Sequence, residues 1–163
     1  MDKLLDGVLK VIAVIDRIVR VLIVANMSVF VAVLIAEVIL RYIFSYSMSW
    51  SSELASYLFV WTVFLAAGVG FKTGDHMAVS ILVDRLPEKA NRVFNFCIHL
   101  VVLAFVVWVA KQGYFLVPRL FNQTSPALRI SMFYAYLSVP AGCSLMAMYM
   151  LELIIREDIR QED

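Results

Sequence analysis

The chain has 163 residues, of which 63% are hydrophobic and 17% charged, against about 45–50% and 25% in soluble domains. Its 14 basic and 13 acidic residues leave a net charge of +1, so it offers no basic field for nucleic acid and no acidic field for cations. A soluble globule of this size still exposes roughly 30% of its unfolded-state surface, so a mean hydropathy of +0.86 excludes a soluble enzyme, a nucleic-acid binder and a disordered chain.

Residues 1–20 come first. Lys3, Asp6, Lys10, Arg17 and Arg20 fall on one stripe of a helix, and Leu5, Leu9, Ile12, Ile15 and Val19 fill the opposite side. That pattern predicts an amphipathic helix lying in the membrane interface. The alternative is a plain helical extension of the first span. Neither is a signal peptide, because the apolar stretch that follows is too long and no small-x-small cleavage site is evident.

Four long stretches then carry no Asp, Glu, Lys or Arg: Val21–Ala36, Leu54–Phe71, Val93–Ala110 and Ile130–Leu151. Eighteen residues of helix reach about 27 Å, close to the ~30 Å hydrocarbon core of a bilayer. The stretches lack the alternation of barrel strands. The expectation is an all-α membrane protein, one domain over residues 1–163. Its four transmembrane helices lie at about 21–44, 54–71, 93–111 and 130–155, with short interfacial amphipathic helices beside them. Residues 76–87, mostly apolar but too short to span, form the second interfacial segment, ended by Pro87. Ser49 is a candidate cap for the second span, with Glu53 in its first turn. Pro140 is expected to kink the fourth.

Ten of the 14 basic residues fall on the side of the N-terminus, the second-to-third connection and the C-terminal tail. Both termini are therefore expected in the cytoplasm, with the segments around 45–52 and 112–128 outside.

Few residues suggest chemistry. Glu37 is the one carboxylate well inside an apolar span, and such a residue is a functional candidate by default. Arg41 follows at i+4 in the favourable order, and a structural ion pair near the outer boundary is the favoured reading over a proton or cation site. Trp50 suits the outer interface. Glu53, Tyr57, Trp61, Phe64 and Gly68 share one face of span two, beside the small pair Ala66 and Gly70. This is an interface signature, either toward another subunit or within the chain. His76 and His99 are a weak candidate haem pair. Cys97 and Cys143 lie inside spans with no ligand spacing, so no disulfide, metal or cofactor is expected. No catalytic motif is present.

From Glu37 on, an ordered set of motifs appears: Glu37-Val-Ile-Leu-Arg41-Tyr42-Ile-Phe44, Trp50-Ser-Ser-Glu53-Leu54, Tyr57-Leu-Phe-Val-Trp61 and Phe64-Leu-Ala-Ala-Gly68. Lys72, Gly74-Asp-His76, Asp84-Arg85-Leu86-Pro87 and Thr124-Ser125-Pro126-Ala127-Leu128 follow. The set resembles the small membrane subunit of the tripartite ATP-independent periplasmic (TRAP) transporters, the DctQ-like family. One departure is Ser52-Glu53, where the family often has two acids after the Trp. The resemblance implies a non-enzymatic scaffold subunit in the bacterial inner membrane. Its partners would be a large DctM-like membrane subunit with an elevator-like motion and a DctP-like periplasmic binding protein. The cargo would be an organic anion such as a C4-dicarboxylate or sialic acid, driven by an ion gradient, commonly Na⁺. The stripe from Trp50 and Glu53 to Gly68 is then the candidate subunit interface. A self-sufficient exporter using Glu37 and a haem-bearing anchor using His76 and His99 are the alternatives.

Overall fold

The computed structural model describes residues 2–73 and 88–159. Its long elements are α1 (Asp2–Ile43), α2 (Ser51–Thr73), α3 (Glu88–Leu116) and α5 (Ser138–Ile159), with a short 3₁₀ turn (Val117–Leu120) and the one-turn helix α4 (Phe133–Tyr136) between the last two. Four helical segments are long and apolar enough to cross a membrane: Lys10–Ile43, Ser51–Lys72, Cys97–Leu120 and Phe133–Leu153. The expected interfacial segment at 76–87, with His76, lies outside the described residues.

The N-terminal segment is helical, as both readings of it expect. It runs into the first span as one helix of 42 residues. Two members of its apolar stripe, Ile12 and Val19, are buried within the protein, while Val11, Val14 and Ile18 are exposed. No Pro or Gly lies between residues 8 and 43 to break the hydrogen-bond ladder. The helix ends where Ser45 takes a positive φ of 51°, which turns the chain so that the Tyr46 N–H returns to the Leu40 carbonyl at 3.0 Å.

The helices form an open row rather than a closed bundle. α1 packs on α2, α2 on α5, and α5 on α3; α1 has at most marginal contact with α3. The two inner members meet closely through glycine. A Cβ on Gly142 of α5 would lie 2.6 Å from the Phe64 Cβ and 2.9 Å from its carbonyl oxygen, so the two backbones touch where only Gly fits. Val106, Ala110, Cys143 and Met146 form the small core, with Phe64, Ala67 and Phe71 packed against it. A row leaves each helix with exposed faces, and lipid covers such faces at no hydrophobic cost.

Pro140 acts as expected, but at a break rather than a bend. It lacks the N–H that would bond the Tyr136 carbonyl, and the helix is interrupted at Leu137, between α4 and α5. The third helix runs further than expected, to Leu116, and continues as the 3₁₀ turn with Pro118. The loop between the 3₁₀ turn and α4 is accordingly short, residues 121–132. It is closed by Ser125 N–H to Ile130 O (2.8 Å) and Met132 N–H to Gln123 O (2.8 Å).

Candidate functional site

Among the described residues the polar side chains gather in a layer at each end of α2, with Asn26–Thr62, Trp61–Tyr134 and Tyr114–Ser144 between them. From Glu53 to Lys72 along α2 is about 28 Å at roughly 1.5 Å per residue, one hydrocarbon thickness.

At the Glu53 end, the carboxylate Oε2 accepts the backbone N–H groups of Ala127 (3.0 Å) and Leu128 (2.7 Å). Glu53 therefore does more than sit at its own helix N-terminus, because it fastens the 121–132 loop to α2. The first turn of α2 is closed by Ser51, whose hydroxyl donates to the Met48 carbonyl at 2.8 Å, in place of the expected Ser49 cap. One turn and more deeper, Trp61 Nε1 donates to the Tyr134 carbonyl at 2.9 Å. Phe64 lies against Gly142, and Gly68 faces Leu145.

This places the expected interface stripe. Glu53, Trp61, Phe64 and Gly68 are engaged with the final helices and the 121–132 loop of the same chain, the within-chain alternative of the two readings of this stripe. Their spacing could not reveal this, since a face shared along a helix says nothing about what covers it. Tyr57 is half-buried and Trp50 is exposed at the Glu53 end. The small pair points elsewhere: Ala66 is exposed, and a Cβ on Gly70 would meet nothing within 4 Å.

Glu37 and Arg41 are joined, Arg41 Nη2 to Glu37 Oε1 at 2.9 Å. The antiparallel register set by Asn26–Thr62 and Asp16–Lys72 brings Glu37 level with the start of α2. The Arg41 side chain is 55% exposed and that of Glu37 15%. The pair is thus an i,i+4 bridge with one partner exposed and the other mostly covered, nearer to the ~0.3–0.5 kcal/mol of an exposed pair than to the ~3–5 kcal/mol of a broken buried pair.

The layer at the Lys72 end escaped the sequence reading. Asp16 Oδ2 meets Arg20 Nε (3.2 Å) and Lys72 Nζ (3.3 Å), and Tyr149 OH donates to Asp16 Oδ1 (3.3 Å). The ammonium of Lys72 also lies 5.4 Å from the centroid of the Tyr149 ring, within cation–π range. A cavity of about 140 Å³ is lined by Lys72, Tyr149, Glu152 and Leu153; Tyr149 is 0% and Glu152 4% exposed. One carboxylate thereby ties α1, α2 and α5 together. The i,i+4 order of Asp16 and Arg20 was the available signal, but the 133 residues between Asp16 and Tyr149 hid the rest.

At mid-depth, Asn26 Nδ2 donates to Leu58 O (2.8 Å) and Thr62 Oγ1 (2.9 Å), joining α1 to α2. Cys143 is buried in the core and Cys97 is exposed. Among the described residues no three His, Cys, Asp or Glu side chains come together to hold a metal.

Comparison with known proteins gives one consistent result. A family model described as "Tripartite ATP-independent periplasmic transporters, DctQ component" matches residues 30–160. The chain is 32% identical over 106 residues to the C4-dicarboxylate TRAP transporter small permease protein DctQ of Rhodobacter capsulatus, covering 64% of this chain and 47% of that one. It is 27% identical over 141 residues to the sialic acid TRAP transporter small permease protein SiaQ of Vibrio cholerae, covering 86% and 82%. It is 30% identical over 105 residues to the isethionate TRAP transporter permease protein DctMQ of Oleidesulfovibrio alaskensis, covering 63% of this chain and 16% of that one. The chain thus spans less than half the length of the first and third of these relatives.

Proposed function

Because the chain belongs to the DctQ component family of the tripartite ATP-independent periplasmic transporters, whose model spans residues 30–160, we propose that it is the small scaffold subunit of such a transporter. It sits in the bacterial inner membrane with both termini cytoplasmic. It holds a large membrane subunit in place while a periplasmic binding protein delivers the cargo. The cargo is an organic anion, and an ion gradient, Na⁺ the first choice, drives its import. The chain itself performs no chemistry.

The observation that carries this reading is the way the family-like motifs are used. Trp50-Ser-Ser-Glu53 and Ser125-Pro126-Ala127-Leu128 are brought together by the two hydrogen bonds to Glu53, which supports a structural role for them. Glu37, the carboxylate that suggested an exporter, is paired with Arg41. The three relatives are named for three different cargoes, all acids that are anions at neutral pH. That fits a subunit which does not select the cargo. In the isethionate relative the matching segment is a small part of a longer chain named DctMQ, which fits a subunit that works attached to a larger membrane component.

Reconstitution tests the reading. Vesicles holding this chain, the large subunit and the binding protein should accumulate an organic anion when an inward Na⁺ gradient is imposed. Leaving out this chain should abolish uptake, and the chain alone should bind no organic acid in calorimetry. Full-rate transport without it, or direct acid binding to it, overturns the scaffold role.

A further inference from the structure

The open row leaves a groove of about 470 Å³ between its first two members, lined by Leu22, Ala25, Asn26 and Val29 of α1 and by Trp61 and Leu65 of α2. The α1 residues recur at three, four and seven positions, one face of a helix. Trp61 and Leu65 are one turn apart. Leu22 and Val29 are exposed, so the wall is apolar with one amide set into it.

That amide is held in one orientation. Leu58 O can only accept, so Asn26 must turn Nδ2 toward it. The Thr62 hydroxyl gives its proton to Leu58 O at 2.8 Å and accepts from Asn26 Nδ2 at 2.9 Å. Both amide hydrogens are thus used, and Asn26 Oδ1 receives no hydrogen bond from any described residue. Asn26 lies about 15 Å along α1 from Asp16 and about 16 Å from Glu37, which is mid-depth between the two polar layers. At that depth of a bilayer the surroundings are hydrocarbon, and an unsatisfied polar group in hydrocarbon is costly. A lipid tail would fill the groove but carries no donor. A second helix does both.

We propose that this groove seats a transmembrane helix of the large membrane subunit, with a hydroxyl, amide or indole donor on that helix bonded to Asn26 Oδ1. The inference rests on the scaffold reading above and adds where the scaffold is gripped. It places the subunit contact at the α1–α2 edge, to which Trp61 is the one residue of the Glu53–Gly68 stripe that contributes.

The test is photo-crosslinking in the assembled transporter. A benzophenone amino acid placed at Ala25 should give an adduct mapped to a transmembrane peptide of the large subunit. Ala25→Trp, which fills the groove, should lower co-purification of the large subunit by about tenfold. Val101→Trp, on the exposed face of α3, should leave it unchanged. Adducts only to phospholipid, or only to a second copy of this chain, overturn the proposal, as does Ala25→Trp with undiminished co-purification. If the unmodified subunits co-purify but the adduct maps elsewhere, this inference fails and the scaffold reading stands. If they do not co-purify at all, both fail.

Discussion

The backbone N–H of Leu128 donates to the carboxylate of Glu53 at 2.7 Å across 75 residues of chain. Ala127 shares the same oxygen. One side chain in the first turn of α2 therefore decides where the loop between α3 and the last helices is anchored.

Removing that anchor should loosen the loop before it unfolds the helices. Glu53→Ala leaves two backbone donors without their acceptor, at a cost of about 1–3 kcal/mol. The expected outcome is faster proteolysis between residues 121 and 132 and a lower Tm in detergent. Glu53→Gln keeps a carbonyl acceptor and should fall between the two. Cleavage rates equal to wild type for Glu53→Ala would show that the loop is held by its own hydrogen bonds.

The α2–α5 contact should tolerate no methyl at Gly142. Gly142→Ala forces Cβ against the Phe64 backbone, and overpacking of this kind costs about 1–3 kcal/mol. Gly70→Ala is the internal control. It has open space around the new methyl and should raise Tm slightly through helix propensity, by up to about 1 kcal/mol. Equal effects of the two substitutions would contradict the close approach.

Asp16 and Lys72 should show coupling in a double-mutant cycle. Both side chains are mostly covered, at 15% and 24% exposed, so Asp16→Asn and Lys72→Met together should cost less than their sum by about 1 kcal/mol. The coupling should shrink as salt is raised. Strict additivity in thermal melts would mean that the 3.3 Å contact contributes nothing.

Glu37→Gln should change little. The Glu37–Arg41 bridge has one partner exposed, so the loss should be about 0.5 kcal/mol or less, and the transporter should retain its ion dependence. An assembled Glu37→Gln transporter that has lost coupling to the ion gradient would place Glu37 in the machinery of transport.

Orientation is open to labelling. In a background of Cys97→Ser and Cys143→Ala, a cysteine at Ser47 should react with an impermeant thiol reagent in cells whose outer membrane has been opened. One at Lys3 should react only after the inner membrane is permeabilised. The reverse pattern would invert the topology that the basic residues predict.

The amino-acid sequence by itself determined the number and approximate place of the spans, because the absence of charge over a bilayer's thickness is a property of consecutive residues. It also determined the Glu37–Arg41 pair, since i,i+4 neighbours meet in any helix. Which way each helix faces was decided only by the tertiary structure. The stripe of Glu53, Trp61, Phe64 and Gly68 was legible as an interface, and the structure sets it against the chain's own loop at 127–128, the one-turn helix α4 and the last helix, which Gly142 brings close. Asp16 lay off the charged stripe read from residues 1–20, and its role appears only with Lys72 and Tyr149 beside it. In lipid every outward face is apolar, so hydropathy does not mark which faces are inside. The small residues and buried hydrogen bonds that do mark them take effect only once two helices are set side by side.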